Sequence, residues 1–413
     1  MVHRGHEAAA GPLRAGRIEN AGVGYAPDMT ELDTDLATSL ASLRAEHASA
    51  ISCYLGLDPE NVPTAAALAS HVTSLVDEAE RAAEHVSDAL EHDAATRLKA
   101  DVARIDAFLE NELDRSESHG LALFVSGANE TWHEVGLPRP VEDAVHIGRT
   151  FVLAPLLDFL EHDRRIILVA VGRDRGKLWN LRRGVVSDLD DLTRDGQGQH
   201  DQGGWSQARF QRARDKEAVD HMRAVAEAIS NHIPQGSDTL LVLAGAEDQR
   251  SAFEELLEPH VRGALIGWTD VEKQEDGHAL RPEAERLLNE RLEVEREALL
   301  DRWREERGQR SGRAALTWGE TMAAAWDGRI DSLLVDGRSS DAFECTSCGR
   351  GYVSPGTCEL DSTPLAEALG GALEVVLRGT LQNGGTVRFA HSEQLTETDG
   401  AAALLRYAVV PAG

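Results

Sequence analysis

The sequence predicts an α/β protein of three units, with an α+β arrangement in the first. Three observations lead there. The chain has 413 residues, more than one ordinary core organises. Apolar runs of strand length alternate with segments of helical period. About 42% of residues are hydrophobic, enough for a core in each unit. The expected division is a flexible leader over 1–30, an N-terminal α/β unit over 31–160 and a central unit over 161–280. A charged connecting helix over 281–312 then leads to a C-terminal α/β unit over 313–413 that carries a cysteine cluster.

In the first unit, Ile51-Ser52-Cys53-Tyr54-Leu55 reads as a strand. The stretch from Ala65 to Arg115 repeats apolar positions at helical spacing, including Leu68, Val72, Leu75 and Val76, and predicts a helix pair. Leu121 to Val125 is a buried strand, and Trp132 to Leu137 its hairpin partner. The Pro138-Arg139-Pro140 stretch leads out.

The central unit opens with a continuous apolar strand, Ile166 to Val171. It turns at Gly172-Arg173-Asp174-Arg175-Gly176 and returns through Lys177 to Leu181. That glycine-flanked turn superficially resembles a phosphate loop, but its place between two apolar strands makes it a hairpin. Gly184-Val185-Val186 starts a third strand. A polar loop from Ser187 to Gly204 follows, then a helix over 206–232 whose apolar stripe is Met222, Val225, Ala226, Ile229 and Ile233. A strand over Thr239 to Gly245 and a helix over Gln249 to Leu257 complete the unit.

From Pro282 to Arg307 the chain is a highly charged helix, of the kind that usually presents a solvated face laced by i,i+4 pairs. In the third unit the pattern predicts a helix over Thr317 to Trp326 and a strand over Ile330 to Val335. Beyond the cysteines it predicts a helix over Pro364 to Leu369, then strands over Leu373 to Leu377, Thr386 to Ala390 and Leu404 to Val409.

Charge narrows the function. The formal net charge is −29, from 42 Lys plus Arg against 71 Asp plus Glu. That balance excludes a sequence-independent nucleic-acid coat, which needs a basic surface, and confines any RNA contact to one local face. Two stretches stand out against it. Arg164, Arg165, Arg173, Arg175, Lys177, Arg182 and Arg183 outweigh Asp163 and Asp174. Arg209, Arg212, Arg214 and Lys216 outweigh Asp215. Both fall in the central unit, and together they read as a basic patch of the kind RNA contact requires.

The second stretch follows Gly203-Gly204-Trp205-Ser206-Gln207, where two adjacent glycines permit backbone geometries closed to other residues. Ser206 is a candidate N-cap, and a helix N-terminus offers free N–H groups to an anion. On spacing alone, a flexible loop before a solvated basic helix is the better reading, since two glycines before a basic helix are not a specific signal.

The segment resembles the central domain of the archaeal and eukaryotic class-1 release factors, members of the release-factor/Pelota superfamily. There a Gly-Gly-Gln tip precedes a helix carrying Arg-Phe-x-Arg-x-Arg, matched here by Arg209-Phe210-Gln211-Arg212-Ala213-Arg214. It is more similar still to their bacterial homologues, whose tip reads Gly-Gly-Trp-Ser-Gln. The resemblance implies a three-domain release-factor-like architecture with a ribonuclease-H-like central domain. It also implies ribosome, rRNA and peptidyl-tRNA as partners in the cytoplasm, and peptidyl-tRNA ester hydrolysis in ribosome rescue.

In that reading Gly203, Gly204, Trp205 and Gln207 form the catalytic tip. Arg209, Arg212, Arg214, Lys216, Arg173 and Arg175 contact RNA. Trp205 stands where the working glutamine of the release factors would be, and no Asn-Ile-Lys-Ser decoding motif occurs. These departures keep a second reading open, a non-catalytic factor that occupies the ribosome as in hibernation. A third is an adaptor for a translational GTPase.

Cys345-Thr346-Ser347-Cys348 is a metal knuckle, with Cys358 and Asp361 completing a Cys-x-x-Cys…Cys-x-x-Asp pattern. One structural zinc and a degenerate site that no longer holds metal are the two readings, and the resemblance, which carries a zinc knuckle here, points to the first. His391 is a remote alternative ligand, and Cys53 reads as a buried core residue. No organic cofactor, no membrane span and a monomeric state are expected.

Overall fold

A computed structural model describes residues 32–45, 47, 49–113, 118–194, 207–269 and 276–408, with side chains in the fifth of these segments described from Arg212 onward. The tip residues Gly203, Gly204, Trp205 and Ser206 lie outside the described residues.

The chain opens with α1 (Thr34–Ser42), whose N-cap Asp33 accepts the Leu36 N–H at 2.7 Å. β1 (Ala50–Gly56), α2 (Ala65–Ser87), α3 (His92–Asn111), β2 (Gly120–Ser126), β3 (Thr131–Leu137) and β4 (Ala144–Gly148) follow. The strands form an antiparallel sheet ordered β3-β2-β1-β4. β4 is not legible in the sequence, because its Ala-Val-His-Ile-Gly run is short and mixed.

Both faces of this sheet are covered. Ile51, Cys53, Leu55, Leu121, Leu123 and Val125 face α2 and α3. Tyr54, Ala122 and Phe124 face the other way, into a core shared with α1 and the C-terminal unit. Side chains alternate faces along a strand, so burial on both sides accounts for the continuous apolar runs.

A 3-10 turn over Ala154–Leu156 and α4 (Leu157–His162) lead into the central sheet. Its strands are β5 (Ile166–Val171), β6 (Gly176–Arg182), β7 (Val185–Asp191), β8 (Leu240–Ala244) and β9 (Leu265–Thr269). Between them lie α5 (Gln207–His232), α6 (Glu247–Glu254) and α7 (Pro259–Ala264). The order is β7-β6-β5-β8-β9, with β6 antiparallel to its neighbours and β5, β8 and β9 parallel. This is the ribonuclease-H-like arrangement that the resemblance implied. Ile167, Val169 and Val171 face α5 to α7, and Ile166, Leu168 and Ala170 face the next helix. β7 runs to Asp191, so the polar loop begins later than Ser187.

That next helix, α8 (Gly277–Gly308), is more than a solvated connector. Leu280, Ala284, Leu287, Leu288 and Leu292 pack on the central sheet. Further along, Leu300 and Trp303 pack on the C-terminal sheet. The expected ion pairs occupy its outer face, as between Arg286 and both Glu283 and Glu290.

The C-terminal unit contains β10 (Ala314–Ala315), α9 (Trp318–Trp326), β11 (Ile330–Val335), β12 (Phe343–Cys345), β13 (Gly351–Tyr352) and β14 (Leu365–Glu367). α10 (Gly371–Gln382), β15 (Thr386–Phe389) and β16 (Ala401–Leu405) complete it. One sheet is ordered β10-β16-β11-β15 and a small one β13-β12-β14. Two expectations are corrected here. The segment at 364–369 is strand, because β14 pairs with β12. The segment at 373–377 lies inside helix α10, not in a strand. A short apolar run does not distinguish a buried strand from a buried helix, and α10 is buried on nearly all sides. The last strand also sits earlier than the expected 404–409.

Candidate functional site

Two places in the fold carry chemistry. The first is the exposed end of α5. Its apolar stripe of Met222, Val225, Ala226, Ile229 and Ile233 is buried as expected, and His221 is buried with it. Residues 212–220 contain no buried position. That stretch of the helix, about 13 Å at 1.5 Å per residue, therefore stands clear of the sheet. Arg212, Arg214 and Lys216 are exposed on it. Gln207 and Arg209 lie in its first turn, the latter directly ahead of Phe210.

The β5–β6 turn approaches this stem. Arg173 reaches Asp215 at 3.5 Å, with both side chains largely exposed, and Arg194 donates to the Glu217 carbonyl at 3.4 Å. Arg175 is half-buried in the same turn. The turn and the helix stem thus bring Arg173, Arg175, Arg212, Arg214 and Lys216 to one end of the central unit.

Four of the other basic residues do not join them. Arg164, Arg165, Arg182 and Arg183 sit at the opposite end of the hairpin, one strand of about 20 Å away. There they are committed to partners. Arg164 pairs with Glu295 at 3.0 Å, and Arg165 donates to Asn180 at 2.7 Å and to the His232 carbonyl. Arg182 and Arg183 both hold Asp163. The single patch read from the sequence is two groups, because a hairpin separates residues that are close in number.

The second place is the knuckle. Ligand atoms of Cys345, Cys348, Cys358 and Asp361 all lie within 4.8 Å of one another, so the group can hold a metal ion. Cys348 Sγ is 3.7 Å from Cys358 Sγ, and Cys345 Sγ is 3.5 and 3.6 Å from the two Asp361 oxygens. Backbone N–H groups of Cys348 and Leu360 point at Cys345 Sγ and Cys358 Sγ, each at 3.4 Å. A left-handed Gly349, at φ +86°, lets the Cys345–Cys348 turn close.

The Thr363 N–H, at 3.0 Å, holds the Asp361 carboxyl down at about 2. Burial pushes the Cys348 thiol up to about 11. The Tyr352 hydroxyl, donating at 3.4 Å, draws the Cys358 thiol below its ordinary value. His391 is not part of this group; it sits 3.6 Å from Glu293 of α8.

Sequence reasoning missed Tyr352 and Arg44. Arg44, just after α1, donates to the Cys345 carbonyl at 2.7 Å. Its only sequence signal was an arginine at a helix end, 301 positions away from its partner. Cys53 is buried in β1, as read.

Residues 152–293 match a family model described as bacterial archaeo-eukaryotic release factor family 10. The central unit is thus similar in sequence to the release-factor family. The match runs from the approach to the 3-10 turn through β5 to β9 and well into α8, and it encloses the Gly203–Gln207 segment. Release-factor-like sequence similarity extends beyond those residues.

The peptide chain release factor subunit 1 of Thermococcus onnurineus (strain NA1) is 25% identical over 262 residues, 57% of this chain and 61% of that one. The same-named protein of Archaeoglobus fulgidus is 25% identical over 242 residues, 54% and 58% of the two chains. The match thus spans about three-fifths of these relatives' length. Among solved structures, S. cerevisiae Dom34, a translation termination-like factor involved in RNA quality control pathways, superposes loosely. Its TM-score is 0.39 at 10% identity, covering 73% of this chain and 81% of that one. Among the described residues, no helix is long and apolar enough to cross a membrane.

Proposed function

We propose that this chain is a ribosome-associated release-factor-like protein acting in ribosome rescue or quality control. The Gly203–Gln207 segment is directed at the peptidyl-transferase centre, and the exposed stem of α5 holds rRNA. The observation that carries this reading is the release-factor match over 152–293, which contains both the tip and the stem.

The chemistry follows from the residue types. Water attacks the ester carbonyl of peptidyl-tRNA, and negative charge develops on the carbonyl oxygen. The ester bond to the tRNA then breaks, and the departing ribose oxygen takes a proton. A backbone N–H at position 205, next to two glycines that permit close approach, is suited to that oxyanion, and Gln207 to orienting the water. Arg209, Arg212, Arg214 and Lys216, with Arg173 and Arg175 beside them, bind phosphates through charge-assisted hydrogen bonds.

The occupancy reading is favoured by one specific feature, Trp205 in the place of the release factors' glutamine. There the indole stacks on an RNA base and the factor blocks the site without hydrolysis. A release assay on ribosomes carrying labelled peptidyl-tRNA separates the two. Hydrolysis that disappears in Gln207→Ala, with binding retained, supports the enzyme. Stoichiometric binding without release supports occupancy. Failure to co-sediment with ribosomes at low salt sinks both.

We further propose that the knuckle holds one structural zinc. Sulfur ligands at about 2.3 Å and a carboxylate oxygen at about 2.0 Å, arranged tetrahedrally, set S···S edges near about 3.8 Å and S···O edges near about 3.5 Å. Two of the six edges, Cys348–Cys358 at 3.7 Å and Cys345–Asp361 at 3.5–3.6 Å, match that set. When bound, the ion supplies a cross-link between the turn at 345–348 and the one at 358–361. A thiolate-rich site suits a reducing cytoplasm.

A further inference from the structure

The knuckle is joined to the far side of the C-terminal unit by a buried polar chain. Glu344 adjoins the ligand Cys345, and its Oε1 accepts from Arg378 Nη2 at 2.6 Å. Arg378 Nε lies 3.6 Å from Glu374 Oε1. Glu374 Oε2 accepts the backbone N–H groups of Leu153 and Ala154, both at 2.9 Å. Those amides begin the 3-10 turn and α4, the segment that carries the chain into the central unit. Arg378 and Glu374 are buried, on α10. Arg44 braces the knuckle end by donating to the Cys345 carbonyl. Its guanidinium lies so close to Gly349 that a Cβ there would come within 2.6 Å of Nη1.

The sheet that carries Glu344 is small. β12, β13 and β14 are three, two and three residues long and rest against α9 and α10, so a cross-link at the knuckle adds to a small hold. The knuckle supplies that cross-link. A buried charged network is stable only when all its members are held, and one loose end leaves the rest undercompensated.

We infer that metal in the knuckle latches the 152–162 segment. By fixing Glu344 and the Cys345 carbonyl it holds Arg378, and through Arg378 and Glu374 it holds the amides of Leu153 and Ala154. The metal centre then governs how firmly the entry to the central unit is held. This rests on the zinc reading of the knuckle.

Amide hydrogen exchange on the full chain tests it, comparing protein loaded with zinc(II) against chelator-treated protein, with metal content measured in parallel. The latch predicts that metal removal speeds exchange at Leu153 and Ala154 by roughly tenfold or more, while β5 and β8 stay protected. It also predicts that Arg378→Met, fully loaded and with a protected knuckle, shows the same loosening at 153–154. Chelation should then add nothing further there. If the chelated protein loses protection throughout, the loaded Arg378→Met and Glu344→Ala proteins decide alone. Unchanged exchange at Leu153 and Ala154, in chelated wild type or in the loaded variants, overturns the latch while leaving the zinc site standing. A chain that takes up no zinc overturns both, and the metal measurement reports that case separately.

Discussion

The Glu374 carboxylate accepts the N–H of Leu153 at 2.9 Å across 221 positions of sequence. Burial raises its carboxyl from the ordinary 4.5 to about 7, against the pull of Arg378 and of the Leu153 and Ala154 amides. Between those values the native state keeps a proton that the unfolded chain has released. The contribution is fully present below 4.5 and is lost as pH rises through 7, on the order of 3 kcal/mol across the window. Glu374→Gln keeps an oxygen for the two amides and removes the titration. Melting curves from about pH 4.5 to about pH 8 should therefore slope less steeply in the variant than in wild type. Parallel slopes would refute the assignment.

Metal removal should lower the melting temperature, because the cross-link between the turns at 345–348 and 358–361 is lost. Cys358→Ser should abolish binding of one zinc equivalent, and Asp361→Ala should weaken it about 10- to 100-fold, since three thiolates remain. Calorimetric titration with zinc(II) reads both. Equal melting temperatures with and without chelator would remove the knuckle's structural role.

Reversing charge on the α5 stem should weaken ribosome binding without unfolding the protein. Arg212, Arg214 and Lys216 are exposed, so the triple substitution to Glu leaves the core intact. Co-sedimentation across a salt series should show lower affinity and a salt slope shallower by about one for each phosphate no longer neutralised. Reversing Arg182 and Arg183 instead should cost stability through Asp163, with little effect on the salt slope.

Gly277 starts α8 against the indole of Trp179, where a Cβ would come within 2.6 Å of the ring. Gly277→Ala should destabilise the fold by about 1–3 kcal/mol through overpacking, despite alanine's better helix propensity. Gly308→Ala, at the other end of α8 with open space around it, should cost nothing measurable. Chemical denaturation of the two variants makes the comparison.

Much of the central unit was legible because its signals are local. A continuous apolar run, a glycine-flanked turn and a stripe at 222, 225, 226, 229 and 233 each specify their element without reference to the rest of the chain. The knuckle was legible for the same reason, since four candidate ligands lie close in sequence. What sequence could not supply was anything fixed by the partner across a core. Leu373 to Leu377 is equally apolar as strand or helix, and its neighbours decided for helix. The basic residues looked like one patch, and the length of a hairpin divided them.

By itself, then, the sequence determined the strand and helix identities that periodicity encodes, the four-residue cluster that could hold a metal and the release-factor resemblance around Gly203 to Arg214. Tertiary structure alone decided that Arg44 braces Cys345, that Glu374 holds Leu153 and that Arg173 meets the α5 stem. The reason is physical: periodicity records which face of an element is buried, whereas ion pairs and caps between distant segments depend on which faces meet.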